Sequence, residues 1–339
     1  MASLIYPFKP PACNGELVEV VPGCLRWLRM PLPMALDHIN LYLVRDGTGW
    51  RIIDTGFDTR KTRDLWETIL PGLGAPITGI VCTHHHGDHC GLAGGLTEKL
   101  RVPLHMSRAE YFAMRLEHDM SLDSWEDRAY FRRAGLSEEQ VAELAQALKQ
   151  FEQHSPPARA YQRLRDGETL VIGDFQWQLR GGEGHSPEHI ALYCNELGVL
   201  LSGDQLLGRI SPNVGVLPFE PEANPLKDWL NSLDRIGELP DETLVLPSHE
   251  LPFYGLRTRA VELQQHHLGV LDRVLALCAE RPDTVYGLSR RLFSERRSAL
   301  DSILAIGETM AHLAYLLKQR RVQRTLTDQD SYLYRVGGA

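Results

Sequence analysis

Several features that mark whole classes of protein are missing from this sequence. Its six cysteines are scattered over 339 residues without a CxxC pair, which argues against a disulfide scaffold and favours reduced thiols in a cytosolic compartment. Residues 1–15 have no basic segment followed by an apolar core, so we expect no signal peptide. No run reaches the ~18–20 apolar residues of a membrane span. The sequence therefore predicts a cytoplasmic protein with no membrane partner.

An excess of positive charge is also missing. The formal net charge is -8, whereas proteins that grip nucleic acid carry clustered lysine and arginine. The charge is uneven, because residues 256–339 hold 13 Lys and Arg against 9 Asp and Glu. This tail is near +4 and the remainder near -12. We expect no nucleic-acid partner for the body of the protein, while the tail keeps that alternative open.

The hydrophobic pattern divides the chain into a larger and a smaller part. Residues 16–57 alternate as β-strands do, strand patterns return over 164–204 and 243–247, and the intervening stretch 107–160 has helical periodicity. A capping box is expected at Ser137, where a new helix begins. The pattern predicts an α+β domain over residues 1–255 with a helical insertion at about 107–160.

The remaining residues, 256–339, lose the strand alternation. Helices are expected near 258–280, 284–293 and 299–319, followed by a hairpin at the end of the chain. Three helices and a hairpin are the order of a winged helix. We interpret this part as a small winged-helix-like domain. Its alternative roles are dimerisation, which would make the protein a homodimer, or closure of a pocket.

One stretch organises the chain chemically. Residues 83–91 read THHHGDHCG and contain four histidines and an aspartate. They follow an apolar run, 77–82, that reads as a buried strand, and they precede a segment of small residues, 91–96. Neutral imidazole and ionised carboxylate are ligands that suit zinc and similar divalent ions. The spacing therefore predicts a metal site on a sharp loop, and Cys90 is expected to be a small packed residue.

Later strand ends carry the same kinds of ligand. His185 lies between two strands, Asp204 closes a strand, and His249 follows a buried strand at 243–247. A strand that ends in Asp54-Thr55-Gly56 comes earlier in the chain. Side chains at the ends of several strands can converge on one point of a rigid scaffold. We therefore expect these residues to join the histidine loop in one centre.

These residues, in this order, resemble the metallo-β-lactamase superfamily. The resemblance covers roughly residues 16–255 and implies an αββα sandwich, two sheets packed face to face with helices outside. It implies two divalent metal ions, zinc in the first place with iron or manganese as alternatives. One ion resembles a His84, His86 and His185 site, the second resembles an Asp88, His89 and His249 site, and Asp204 would bridge them. Asp54 is expected to orient a ligand histidine, and His85 is expected not to be a ligand.

The same resemblance implies a hydrolase in which a metal-bound hydroxide attacks the substrate. Two ions about 3.5–4 Å apart can generate hydroxide near neutral pH and polarise the scissile bond, so no serine or cysteine nucleophile is needed. The presence of Asp88, together with an aspartate at the bridging position 204, resembles the ligand pattern of the glyoxalase II, lactonase and thioesterase-like branches. Residues 204–216 depart from the glyoxalase II pattern. We expect a small-molecule acyl substrate, a thioester or ester of the acyl-CoA or acyl-carrier type, with Asp88 as the catalytic residue.

Other readings of the same residues stay open. They are a metal-dependent ribonuclease or phosphodiesterase, a lactonase, a nucleic-acid-binding regulator with a winged helix, and an oxidising enzyme with a single Fe(II). The candidates for substrate contact are Asn213, Tyr193, Tyr254 and Arg257. The sequence does not choose the acyl group or the leaving group.

Overall fold

The computed structural model describes residues 3–118, 124–149, 155–293 and 298–337. These residues form two compact units. The first unit comprises residues 3–118, 155–212 and 232–260, and the second comprises 124–149, 213–231, 261–293 and 298–337. The domain boundary at residue 255 stays a prediction. The residues of the two units differ from those of the two predicted domains, because the larger part of the described helical insertion, residues 124–149, groups with the tail.

Two sheets build the first unit. The seven-stranded sheet has the order β1 to β7, with strands Val18–Val21, Leu25–Pro31, His38–Asp46, Gly49–Ile53, Ile77–Val81, Leu104–Met106 and Gln162–Arg163. The second sheet has the order β12-β11-β10-β9-β8, with β8 to β12 spanning Thr169–Ile172, Phe175–Gly182, His189–Cys194, Val199–Gly203 and Leu244–Pro247. The predicted hairpin of β3 and β4 is confirmed as an antiparallel pair. Strand β5 pairs with β4 in parallel, so both strands end at the same edge.

One apolar cluster joins the two sheets. It contains Trp27 and Val81 from the first sheet and Trp177, Leu192 and Leu246 from the second. Both tryptophans are fully buried, and burial of such a side chain stabilises the fold by roughly 1.5–3 kcal/mol. The predicted αββα sandwich, with its two sheets packed on one core, is confirmed.

The helices occupy the connections between these strands. Helices α1 to α4 span Arg60–Gly72, Gly87–Cys90, Ala93–Leu100 and Arg108–His118. Helices α5 to α7 span Trp125–Arg133, Glu138–Leu148 and Pro225–Gly237. The capping box at the start of α6 is confirmed, since the Ser137 hydroxyl accepts from the Gln140 amide and the Gln140 side chain accepts from the Ser137 amide.

The second unit contains the predicted tail helices. Helices α8, α9 and α10 span Leu256–Glu280, Val285–Leu292 and Ala299–Lys318, and the hairpin strands β13 and β14 span Val322–Leu326 and Tyr332–Val336. The order of three helices and a hairpin is confirmed, while the winged-helix assignment stays a prediction. The insertion packs on the tail inside this unit, because the Tyr286 amide donates to the Ala134 carbonyl (2.8 Å).

Among the described helices, α10 alone is long enough and apolar enough to cross a membrane, judged by length and composition only. A core helix of a water-soluble protein meets the same criteria, and 44% of its most apolar window is buried inside the protein. This is weak support for a membrane span, and the cytoplasmic location stays a prediction.

Candidate metal centre

The histidine loop leaves the end of β5 and enters α2 within a few residues. Strand β5 ends at Val81, and α2 begins at Gly87 with His86 as the residue before it. This is the strand, loop and helix geometry predicted from the sequence. Asp54 fixes the start of the loop, because its carboxylate accepts hydrogen bonds from the Thr83 amide (2.8 Å) and the Thr83 hydroxyl (2.9 Å). The base of the loop is therefore fixed to the end of β4.

Three imidazoles form the first group. His84 Nε2 lies 2.9 Å from His86 Nδ1 and 3.2 Å from His185 Nε2. His84 and His185 are buried and His86 is half-buried. Three ring nitrogens at these separations are suitable ligands for one divalent ion.

The second group consists of Asp88, His89 and His249. An Asp88 carboxylate oxygen, Oδ2, lies 3.7 Å from His89 Nε2 and 3.4 Å from His249 Nε2. His89 is completely buried, whereas the Asp88 side chain is 18% exposed. This group therefore has one carboxylate that can reach solvent or substrate.

Asp204 lies between the two groups. Its Oδ2 is 3.4 Å from His185 Nε2 in the first group, and its Oδ1 is 3.4 Å from His249 Nε2 and 3.5 Å from His89 Nε2 in the second. Asp204 Oδ1 and His89 Nε2 are buried and make no hydrogen bond in the described part of the chain. A buried polar atom without a partner is costly, and a cation between the two atoms removes that cost. These residues fit a metal centre.

The tautomers of three histidines support the same assignment. Nδ1 of His89 donates to the Asp54 carboxylate (2.8 Å), and Nδ1 of His249 donates to the His38 carbonyl (3.0 Å). Nδ1 of His84 lies 3.0 Å from the Thr83 hydroxyl, whose proton is engaged by Asp54. With Nδ1 engaged in this way, Nε2 is the ring atom that each of these histidines turns toward the centre. Outer partners of this kind orient metal-ligating histidines.

Electrostatics prepares the ligands for a cation. Burial and the neighbouring imidazoles hold the pKa of His84 well below its usual value, so this ring is neutral. Burial alone would raise the pKa of Asp204, but the imidazoles of His249 and His89 lower it well below the usual range. Burial opposes protonation of His249, yet the carboxylates of Asp204 and Asp88 raise its pKa to about 10. An incoming ion displaces that proton, which couples metal binding to pH.

Both ring nitrogens of His85 have partners outside the two ligand groups, and its assignment as a residue that is not a ligand stays a prediction. Its Nδ1 lies 2.5 Å from Glu110 Oε2 and its Nε2 lies 3.0 Å from Glu117 Oε1. Burial opposes its charge, but the two glutamates raise the pKa of His85 to about 10. His85 is therefore an imidazolium that ties the loop to α4.

Two residues of this region were not identified from the sequence. Glu110 is completely buried and binds the His85 amide, the Ser186 hydroxyl and the Glu188 amide, so that it joins the two ligand loops. The buried ring of His189 accepts the Asp204 amide (3.3 Å). Glu110 follows the helical pattern of α4 without a local signal. The only signal for His189 was its place four residues after His185.

Three of the four substrate candidates, Tyr193, Tyr254 and Arg257, belong to the first unit, and Asn213 belongs to the second. Tyr193 is buried and its hydroxyl donates to Asn195. It lies four residues after His189 on β10, a distance of roughly 13 Å along the strand. Tyr254 packs against the apolar cluster of the sandwich. Arg257 donates to the Gly237 carbonyl (3.2 Å). Asn213 belongs to the second unit and donates to the Leu304 carbonyl (3.2 Å). These contacts of the three candidates in the first unit are not with the metal ligands, and a substrate role for all four residues stays a prediction.

The family comparisons agree with the fold. The model described as "Metallo-beta-lactamase superfamily" matches residues 35–249, and "Metallo-beta-lactamase-like, C-terminal domain" matches residues 271–336. The second match coincides with most of the described tail. The first covers more than half of the chain and contains all seven predicted ligands.

Individual relatives extend the likeness over nearly the whole chain. The crystal structure of a beta-lactamase domain protein from Burkholderia ambifaria is 39% identical, covers 98% of each chain and has a TM-score of 0.89. A probable metallo-hydrolase, YqjP of Bacillus subtilis, is 25% identical over 85% of this chain and 91% of its own length. "Acyl-coenzyme A thioesterase MBLAC2" of Gallus gallus is 27% identical over 66% of this chain and 76% of its own length.

A sandwich of two sheets, a centre of histidines and aspartates at its strand ends, and a family match across that centre lead to one assignment. The chain is a metal-dependent hydrolase by family. It belongs to the metallo-β-lactamase superfamily and carries the C-terminal domain of that family.

Proposed function

We propose that this protein is a dinuclear metal hydrolase that cleaves a thioester or ester. The observation that carries the proposal is the placement of Asp204, whose two carboxylate oxygens face two different groups of ligands. A carboxylate shared in this way is typical of a two-metal site. The ions are proposed to be zinc, because imidazole and carboxylate ligands suit it.

In this mechanism His84, His86 and His185 would hold one ion, and Asp88, His89 and His249 would hold the other. Two bound divalent ions lower the pKa of water and polarise the scissile carbonyl. Asp54 and the His38 carbonyl keep the rings of His89 and His249 in the required orientation. Asp88 is the more exposed of the two central carboxylates. We therefore assign to its carboxylate the acceptance of the proton that the attacking water loses and its return to the leaving group.

The proposed substrate is a small acyl thioester or ester. Two features support this class. Some relatives are named as acyl thioesterases, and the net charge of -8 disfavours a polyanionic substrate such as RNA. Ions bound at this centre would supply an activated water, so that hydrolysis of an activated acyl group would need no serine or cysteine nucleophile.

The test combines metal analysis with matched variants. We expect about two divalent ions per chain associated with this centre, and hydrolysis of acyl-CoA thioesters or p-nitrophenyl esters by the loaded protein. His86→Ala and Asp88→Ala should each lower kcat/KM by at least 100-fold, because each removes a ligand. His118→Ala is the control, since His118 is an exposed histidine at the end of α4.

Two results would contradict the proposal. Undiminished esterase activity in both ligand variants would exclude the mechanism. Metal-dependent cleavage of single-stranded RNA, lost in Asp88→Ala and unaccompanied by acyl hydrolysis, would replace the substrate class with a phosphodiester.

A further inference from the structure

A second cluster of metal-type ligands lies in the other compact unit. His267 on α8 and Glu308 and His312 on α10 place one ligand atom each within 4.8 Å of one another. All three belong to the unit that contains the tail. Both histidines are completely buried and Glu308 is half-buried. This cluster is separate in sequence from the seven ligands of the first unit.

The spacing of its imidazoles matches that of the proposed catalytic ligands. His267 Nδ1 lies 3.0 Å from His312 Nε2, compared with 2.9 Å and 3.2 Å between the ring nitrogens around His84. Two nitrogens bound to one tetrahedral zinc at about 2.0–2.1 Å are separated by a similar distance, roughly 3.3 Å. The distance between His267 Nδ1 and His312 Nε2 therefore suits two ligands of one ion, as it also suits a hydrogen bond between the rings.

The outer contacts favour ligand geometry. Nδ1 of His312 donates to the Glu308 carbonyl (2.7 Å), which can only accept, so the Nε2 lone pair points toward His267. The Asn213 amide donates to Glu308 Oε2 (3.3 Å) and orients that carboxylate. Hydrogen bonds of this kind to the outer atoms of ligands are characteristic of metal sites. Glu308 and His312 are also four residues apart on one helix, which places them on one face.

We propose that His267, Glu308 and His312 form an additional binding site for one divalent transition-metal ion of the zinc type. Two imidazoles and one carboxylate are a ligand set that zinc accepts, with a further position left for water. The ion would link α8 to α10 within the second unit. The Trp229 ring makes a T-shaped contact with the His267 ring (4.9 Å between centroids), and both side chains are fully buried. This site would be structural or regulatory and does not depend on the proposed hydrolytic function.

The test counts ions in the full-length protein. Chelator-stripped protein is titrated with Zn²⁺ in a calorimeter, and the bound metal is confirmed by elemental analysis. Glu308→Gln and His312→Gln should each bind about one ion fewer per chain than the unsubstituted protein. His266→Gln is the matched control, because His266 is the exposed neighbour of His267 on the same helix. It should bind the same number of ions as the unsubstituted protein.

A spectroscopic arm separates this site from the catalytic one. In a background that removes one ligand from each catalytic group and the shared carboxylate (His86→Ala, Asp88→Ala and Asp204→Asn), Co²⁺ should produce visible absorption that disappears with Glu308→Gln and persists with His266→Gln. Unchanged ion counts in folded Glu308→Gln and His312→Gln, with no such absorption, would overturn the proposal and leave a hydrogen-bonded histidine pair. Failure of the hydrolase assay alone would leave the ion count of this site unaffected, so the two proposals fail separately.

Discussion

At the scale of single residues, the charge on His85 holds two parts of the catalytic unit together. The imidazolium is buried between Glu110, which is also buried, and Glu117, whose side chain is 31% exposed. Because its folded pKa of about 10 lies above the ordinary 6.5, its stabilising effect is complete below pH 6.5. The effect declines as the pH rises and is lost at about pH 10.

Glu117→Gln tests this charge. The substitution should reduce the free energy of unfolding at pH 7 by about 1.5 kcal/mol, because a charge-assisted hydrogen bond becomes a weaker one. The difference from the unsubstituted protein should narrow toward pH 10, where His85 loses its proton. Urea unfolding of the metal-loaded protein at pH 7 and at about pH 10 measures this difference in the free energy of unfolding. Glu98→Gln, at an exposed position of α3, should show no such pH dependence, and an equal loss at both pH values would contradict the assignment.

At the scale of elements, the small residues after the histidine loop permit close packing of α3. A Cβ atom added at Gly94 would lie 1.9 Å from the Pro156 carbonyl oxygen, whereas one at Gly95 would meet only Ser155 Oγ at 3.8 Å. Both glycines lie in the first turn of α3. The sequence showed that the segment was small, but it did not show which glycine has the backbone of residue 156 against it.

This pair gives a prediction of opposite signs. Gly94→Ala should destabilise the protein by roughly 1–3 kcal/mol, because the backbone must move. Gly95→Ala should stabilise it by about 0.5–1 kcal/mol, because alanine loses less backbone entropy in a helix. Denaturant unfolding of the two variants provides the comparison, and equal effects would show that Pro156 does not limit α3.

At the scale of the whole molecule, the proposed metal ligands come from distant parts of the chain. Each proposed ion has ligands that follow strands of both sheets, His84 and His185 in the first group and His89 and His249 in the second, so binding of either ion would also stabilise the packing of the sheets. A ligand that binds only the folded state at 100 times its Kd contributes about 2.7 kcal/mol.

Removal of the ions should therefore lower the Tm. For domains of 150–250 residues about 1 kcal/mol corresponds to 2–4 °C, so the chelator-treated protein should unfold several degrees lower and recover when Zn²⁺ is restored. Calorimetry of both forms measures the shift. Asp204→Asn should respond less to the chelator, and an identical shift in that variant would place the stabilising ions elsewhere.

Much of the fold followed from local patterns. Alternation over β2 to β4, helical periodicity in the tail and the capping box at Ser137 are properties of neighbouring residues, and each predicted the element that the structure contains. The grouping of α5 and α6 with the tail was not predictable in this way. It depends on contacts such as that of Tyr286 with Ala134, which are 152 residues apart in the chain.

The sequence by itself determined which residue types stand at the strand ends, because ligand chemistry and spacing within THHHGDHCG are local properties. Only the tertiary structure decided the distances between these residues, the two glutamates that contact His85, and the hydrogen bond that His189 accepts from the Asp204 amide. It also brought His267 within reach of Glu308 and His312. Those pairings depend on packing between elements far apart in the chain, and side-chain packing is a property of the folded core alone.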